Sequence, residues 1–89
     1  MSSYIISYDL RKIRDYTSLG SAIKSYGTWA KITESMWIIV SNQTAVQIRN
    51  FLSRYMDEDD RLFVAKYGGS AAWKNIIASN DWLHKNLNS

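Results

Sequence analysis

Residues 28–40 read Thr-Trp-Ala-Lys-Ile-Thr-Glu-Ser-Met-Trp-Ile-Ile-Val, and this stretch decides the fold. Its two halves, residues 29–33 and 36–40, are rich in β-branched and aromatic side chains, which favour strands. Glu34 and Ser35 lie between the halves, where a short hairpin turn is expected although the usual Asn-Gly signal is missing. We therefore predict two adjacent antiparallel strands in the middle of the chain.

A helix pattern lies on each side of this hairpin. In residues 16–26 the apolar side chains recur at steps of three and four, and Gly27 is placed to end the helix. After the hairpin, Thr44 and Gln47 fit a capping box, which predicts a helix that continues to about Tyr55. The hairpin is thus expected between two helices.

Strand patterns lie outside both helices, at residues 4–8 and 61–67. The resulting order of strand, helix, strand, strand, helix, strand predicts a ferredoxin-like α+β fold with one four-stranded antiparallel sheet, in the strand order 4-1-3-2. We expect a single domain over residues 1–89. Its core covers residues 3–67, and a helical tail follows over residues 70–87, with a break in the helix as an alternative near Ser79 and Asn80.

Apolar side chains alternate onto both faces of the predicted sheet. In the first strand Tyr4, Ile6 and Tyr8 lie on one face, while Ile5 lies on the other. Because two helices can cover only one face, the second face has to be exposed to water, covered by the tail, or covered by another subunit. Of these alternatives, the pattern favours a homodimer that forms through the second face.

The composition excludes several classes of site. The chain has 89 residues and no cysteine, so disulfides, thiolate zinc sites and cysteine nucleophiles are impossible. His84 is the single histidine, which argues against histidine zinc sites and catalytic triads. The net charge of +3 is compatible with a nucleic-acid partner. No apolar run approaches the roughly 18 residues of a membrane span, and no signal-peptide pattern is present, so we expect a cytoplasmic protein without a membrane partner.

Asp9 is the most informative polar residue. It ends the first predicted strand, and the basic residues Arg11, Lys12 and Arg14 follow it. In the predicted sheet the third strand begins beside this end, which brings Ser35 near Asp9. One carboxylate is a poor ligand set for Mg²⁺, but a two-fold axis near Asp9 would supply a second one. Two such carboxylates could share a metal ion, or a proton if no metal is bound, while the cations hold a phosphodiester.

A purely structural role explains the same residues. Asp9 can order the loop that follows the strand through local hydrogen bonds, as aspartate often does. The three basic residues are then a solvated loop whose charge is balanced by Asp9 and Asp15. The acidic run at residues 57–60 lacks the spacing of a calcium loop and is expected to be a solvated turn. The residue pattern leaves both interpretations of Asp9 open.

Three short motifs carry a family resemblance. Tyr8-Asp9-Leu10 closes the first strand, and the stretch at residues 33–37 aligns with a Gln-x-Ser-Val-Phe pattern, with Thr33 in place of the glutamine. Asp60-Arg61-Leu62 precedes the fourth strand. In this order, over about residues 3–67, they resemble the small CRISPR-associated Cas-two proteins and the related VapD-type toxins.

The resemblance implies a ferredoxin-like homodimer in which Asp9 of both subunits faces a divalent metal, Mg²⁺ or Mn²⁺. Asp9 would be the catalytic and metal-binding residue of an endonuclease or endoribonuclease of antiviral defence, with Ser35 beside it. The implied contacts to RNA or DNA are Arg11, Lys12 and Arg14. Other members of the family are structural, which implies as the alternative a non-catalytic nucleic-acid- or protein-binding dimer that scaffolds an integrase partner. The Gly-Gly-led helical tail replaces the short final strand of many family members. Because that strand helps to make the partner contacts, the integrase role is the one that this departure affects.

An RNA-recognition motif shares the predicted strand order and is a third alternative. That module stacks bases on aromatic side chains of its sheet and carries a basic-Gly-aromatic signature on the third strand. Residues 36–40 lack this signature. A monomer with an exposed aromatic sheet face would favour this alternative.

Overall fold

The predicted strands and helices are present in the expected order. A computed structural model describes residues 1–11 and 16–87 of the chain. The elements are β1 (Ser2–Asp9), α1 (Tyr16–Lys24), β2 (Trp29–Thr33), β3 (Met36–Ser41), α2 (Ala45–Ser53), β4 (Arg61–Lys66) and α3 (Asn80–Leu87). The four strands form one antiparallel sheet in the order β2-β3-β1-β4. The ferredoxin-like α+β fold is therefore confirmed.

β1 is a central strand that is paired on both sides. Ile6 lies opposite Trp37 of β3 and opposite Val64 of β4. In the same register Asp9, the last residue of β1, lies opposite Arg61, the first residue of β4. The sheet topology therefore brings the end of β1 and the start of β4 to one place.

The capping box predicted for α2 is confirmed. The backbone N–H of Gln47 donates to Thr44 Oγ1 at 3.1 Å, and the backbone N–H of Thr44 donates to Gln47 Oε1 at 2.9 Å. These two bonds satisfy backbone donors that the first turn of a helix otherwise leaves unpaired. α2 ends at Ser53 and α1 at Lys24, each slightly before its predicted end. In the described part of the chain, no helix has the length and apolar character needed to cross a membrane.

The main core lies between one face of the sheet and the helices α1 and α2. Tyr4, Ile6 and Tyr8 of β1 are all buried in it, so the alternation read from the sequence is correct. The side chains in the described residues that are large and fully buried on this side of the sheet are Ile6, Leu19, Ile23, Ile39, Ile48 and Leu52.

The tail covers much of the second face. Leu83 and Leu87 of α3 are buried against Ala30, Ile32 and Ile38, which lie on β2 and β3. The tail, rather than a second subunit, thus buries this part of the sheet. Burial of the face does not require the homodimer expected above, and the homodimer stays a prediction.

The expectation of a helical tail over residues 70–87 is wrong for residues 70–79. Only Asn80–Leu87 is helical, and the preceding residues are irregular. The backbone N–H of Ile77 donates to the carbonyl of Ile32 on β2 at 3.0 Å, so the sheet satisfies a donor that a helix would otherwise use. Asn75 has a φ of 54°, in the left-handed region that ends a right-handed helix.

Candidate nucleic-acid interface at the end of β1

The carboxylate of Asp9 lies between two arginines. Asp9 Oδ2 is 3.3 Å from Nη1 of Arg61 and 3.7 Å from Nη1 of Arg11. The three side chains are exposed by 55%, 66% and 48% for Asp9, Arg61 and Arg11 respectively. Solvent screens ion pairs of this kind, and each contributes only about 0–1 kcal/mol to stability. We call Asp9, Arg11 and Arg61 the Asp9 cluster; its main effect is to hold two guanidinium groups beside one carboxylate.

Asp60 fixes the backbone on which the cluster is built. Its Oδ1 accepts the backbone N–H of Arg11 at 2.7 Å, and its Oδ2 accepts the backbone N–H of Asp57 at 2.8 Å. The backbone N–H of Asp60 donates in turn to the carbonyl of Asp57 at 3.1 Å, which closes the turn. Asp60 thus ties the segment after β1 to the segment before β4. Arg11 and Arg61 are therefore positioned by one residue.

The turn between β2 and β3 contacts the end of β1 on the side opposite β4. The backbone N–H of Tyr8 donates to the carbonyl of Ser35 at 3.1 Å. The Tyr8 hydroxyl accepts a hydrogen bond from Trp37 Nε1 at 3.1 Å and donates to the carbonyl of Glu34 at 3.4 Å. Ser35 therefore lies beside the end of β1, as the topology predicted, and it contacts β1 through its backbone carbonyl.

Within one chain the donor set does not fit Mg²⁺ or Mn²⁺. The Asp9 cluster offers one carboxylate, and its two guanidinium groups repel a cation. Both oxygens of Asp60 accept backbone N–H groups. Over residues 1–11 and 16–87, no group of three or more His, Cys, Asp or Glu side chains could hold a metal ion. A hard divalent cation prefers several oxygen ligands, so a metal site here would require the carboxylate of a second chain.

The site contains some of the residues predicted from the sequence and adds two others. Asp9 and Arg11 lie together, whereas the predicted phosphate contacts Lys12 and Arg14 fall outside the described residues. Arg61 and Asp60 were not predicted as site residues. The predicted strand order could have identified Arg61, because it places the start of β4 beside the end of β1. No local pattern distinguishes Asp60 from the other acidic residues of its turn.

An exposed aromatic ring lies next to the cluster. The β1–β4 register pairs Ser7 with Phe63 and Asp9 with Arg61, and paired residues lie on the same face of a sheet. Leu62 and Val64 pack into the main core, so Phe63 lies on the opposite face, where it is 64% exposed. On this face Ile5 of β1 packs against the second core cluster, and Ser3 Oγ donates to the carbonyl of Asn86 in the tail at 3.0 Å. Phe63 and Arg61 are therefore two residues apart on one face of β4, the face that the tail leaves open at this end.

No family model matches the chain. The resemblance described above is therefore an expectation, and the function is argued from the site itself.

Proposed function

We propose that the Asp9 cluster binds the phosphates of RNA or DNA through Arg11 and Arg61. The observation that carries the proposal is the arrangement of two exposed guanidinium groups at 3.3 and 3.7 Å from one carboxylate oxygen. Guanidinium groups bind phosphate oxygens in a planar, bidentate geometry. The cluster itself has two guanidinium groups and one carboxylate, and the net charge of the whole chain is +3, while the acidic run at residues 57–60 adds negative charge directly before Arg61.

In this proposal Asp9 positions the arginines and does not touch the nucleic acid. Each guanidinium has five N–H donors, more than one shared carboxylate oxygen can accept. A phosphate can therefore bind both arginines while Asp9 keeps them in place. Because the ion pairs are exposed and weak, rearranging them around a phosphate has a small energetic cost.

The test is equilibrium binding of a labelled single-stranded oligonucleotide to Arg11→Gln and Arg61→Gln, measured by fluorescence anisotropy. Each change removes a charged hydrogen-bond donor, so we expect a loss of affinity of about fivefold, equivalent to about 1 kcal/mol. Lys85→Gln on α3 removes the same charge at an exposed position far along the chain and is the matched control. Equal losses in all three variants would overturn the proposal.

A metal-dependent endonuclease that acts as a homodimer is the second candidate. The observation that favours it is the exposure of the Asp9 side chain, 55%, at the end of a central strand where a second copy can approach. Asp9 would then be the catalytic carboxylate, with Ser35 beside it. A non-catalytic scaffold for an integrase partner is compatible with the binding proposal and requires no metal.

The substitution Asp9→Asn separates the two candidates. The binding proposal predicts that Asp9→Asn keeps at least half of the wild-type affinity, because the arginines make the contacts. The endonuclease candidate predicts that the wild type cleaves RNA or DNA with Mg²⁺ or Mn²⁺. It also predicts that Asp9→Asn loses cleavage while keeping the oligomeric state of the wild type. Cleavage that persists in Asp9→Asn would exclude Asp9 as the catalytic residue.

A further inference from the structure

A cavity lies between α1 and the sheet, away from the Asp9 cluster. Its volume is about 320 Å³, at the lower end of the range for small-molecule sites. Lys31 of β2 and Trp37 of β3, which are paired in the sheet register, line it from the sheet. The residues of α1 that line it recur at steps of three and four and therefore share one helix face: Thr17, Gly20, Ser21 and Lys24.

Two ammonium groups lie beside this cavity. Lys24 Nζ is 5.1 Å from the centroid of the Trp29 ring, and Lys31 Nζ is 5.8 Å from the centroid of the Trp37 ring. The two rings are in contact, with their centroids 5.4 Å apart. Contacts of this kind attract the ammonium group to the ring face. Both lysines are thus held on adjacent rings, at one side of the cavity.

Carboxylates do not neutralise these two cations. No aspartate or glutamate is among the described residues that line the cavity. Glu34 Oε2 is 3.8 Å from Lys31 Nζ, but the Glu34 side chain is 93% exposed, so solvent screens this pair. Within the described part of the chain Lys24 forms no ion pair. The acidic run at residues 57–60 precedes β4, which is the sheet edge opposite β2. The described residues therefore give the cavity a net positive charge.

Gly20 leaves one wall of the cavity open without a packing reason. It lies inside α1, where glycine is less favourable for stability than alanine. A Cβ built at Gly20 meets no atom outside its own helix closer than 3.9 Å, the distance to Trp37 Cζ2, which is an ordinary contact. The fold therefore has room for alanine here. Glycine is favoured where a ligand approaches the backbone closely, so its presence points to a ligand.

We propose that this cavity binds a phosphate monoester of a small molecule, with Lys24 and Lys31 contacting the phosphate. At pH 7 a phosphate monoester has a charge of about −1.5 to −2 and three strong acceptor oxygens. It therefore matches two ammonium groups, and the hydroxyl groups on the same face of α1 can donate to it. A carboxylate has a smaller charge. The site is separate from the Asp9 cluster and does not depend on the function proposed for that cluster.

The test follows the indole N–H signals of the ¹⁵N-labelled protein by two-dimensional NMR at pH 7 and constant ionic strength. The probes are inorganic phosphate, glycerol 3-phosphate and, as a singly charged anion, acetate. Trp37 lines the cavity and reports binding. Trp73 packs with the tail on the other face, where its indole N–H donates to Asn80 Oδ1 at 2.9 Å, and it is the internal reference.

We expect both phosphate probes to shift the Trp37 signal to saturation, while acetate does not and Trp73 stays in place. Lys24→Gln and Lys31→Gln should each weaken the binding of glycerol 3-phosphate by about fivefold or more, since each removes a charged donor. Lys85→Gln on α3 removes the same charge at an exposed position and should bind as the wild type does.

Gly20→Ala tests the open wall and cannot lose binding through unfolding. Alanine is the better helix residue and has room at this position, so the Tm should rise by about 2–8 °C. The added methyl group lies in the cavity wall, so the affinity for glycerol 3-phosphate should fall by about threefold or more. A rise in Tm with unchanged affinity would show that Gly20 does not face a ligand and would overturn the proposal.

Three further results would contradict the inference. The first is the absence of a saturable Trp37 shift with glycerol 3-phosphate, and the second is equal affinity for acetate. The third is a larger affinity at Trp37 for a single-stranded oligonucleotide with hydroxyl ends, which would make the cavity part of a nucleic-acid surface. Arg11→Gln and Arg61→Gln should leave the affinity for glycerol 3-phosphate unchanged, so a failure of the proposed function is distinguished from a failure here.

Discussion

Asp9 and Asp60 use their carboxylates in different ways, and both uses position Arg11. Asp9 contacts the guanidinium groups of Arg11 and Arg61 at the surface, where solvent weakens the ion pairs. Asp60 contacts backbone N–H groups at 2.7 and 2.8 Å, and charge-assisted hydrogen bonds of this kind are stronger. The residue that matters most for the geometry of the site is therefore Asp60, which touches no proposed ligand.

Asp60→Asn should lower both the stability of the fold and the affinity for nucleic acid. The amide group of asparagine would bring a donor toward one of the two N–H groups that now donate to Asp60, so one hydrogen bond is lost. We expect a loss of about 1–2 kcal/mol in the free energy of unfolding, measured with urea. Glu58→Gln removes a charge from the same acidic turn at an exposed position and is the control. Equal stability of the two variants would contradict the role given to Asp60.

At the residue scale, the sequence predicts the location of Asp9 but not its partners. The alternation of apolar residues along residues 4–8 is enough to place Asp9 at the end of a strand. The pairing with Arg61 depends on the register between two strands that are distant in the chain. The bonds of Asp60 depend on the conformation of one turn, and four acidic residues in sequence carry no information about which one closes it.

At the scale of elements, Gly69 lies between the end of β4 and the tail that crosses the sheet. Gly69 has a φ of 104°, which side chains with a Cβ rarely adopt, whereas Gly68 has no such φ. A Cβ built at either residue meets no atom within 4 Å. The two glycines therefore differ in backbone conformation and not in available space.

Gly69→Ala should destabilise the protein, and Gly68→Ala should not. Alanine at Gly69 is strained by the positive φ, so we expect a loss of more than about 1 kcal/mol, or roughly 4–8 °C in Tm for each kcal/mol. Alanine at Gly68 has no such strain and restricts the unfolded chain, so stability should be equal or slightly higher. Thermal unfolding followed by circular dichroism gives the comparison. Equal Tm values for both variants would show that the backbone at Gly69 is not constrained in this way.

Elements with local signals are predicted correctly, and the tail shows where such signals fail. The capping box of Thr44 and Gln47 and the turn at Glu34 and Ser35 are local features, and both are present in the structure. In residues 70–79 the contacts with the sheet override the local preference for helix. The bond from the Ile77 N–H to the Ile32 carbonyl joins residues that are far apart in sequence, so no local pattern encodes it.

At the scale of the whole molecule, different elements pack on the two faces of the sheet. The helices α1 and α2 cover one face, while the tail covers β2, β3 and part of β1 on the other. The open part of the second face lies at the end of β1 and the start of β4. The alternation of apolar residues predicts that both faces need cover, but the part left open depends on the path of the tail.

The salt dependence of binding tests the proposed function most directly. Phosphate contacts release counterions, so the logarithm of the binding constant for a single strand falls linearly with the logarithm of salt concentration, by about 0.7 for each contact. We predict such a line for the wild type, and a slope shallower by about 0.7 for each arginine removed in the double variant with Arg11→Gln and Arg61→Gln. Equal slopes for the wild type and the double variant would contradict the assignment of the Asp9 cluster as the phosphate-binding surface.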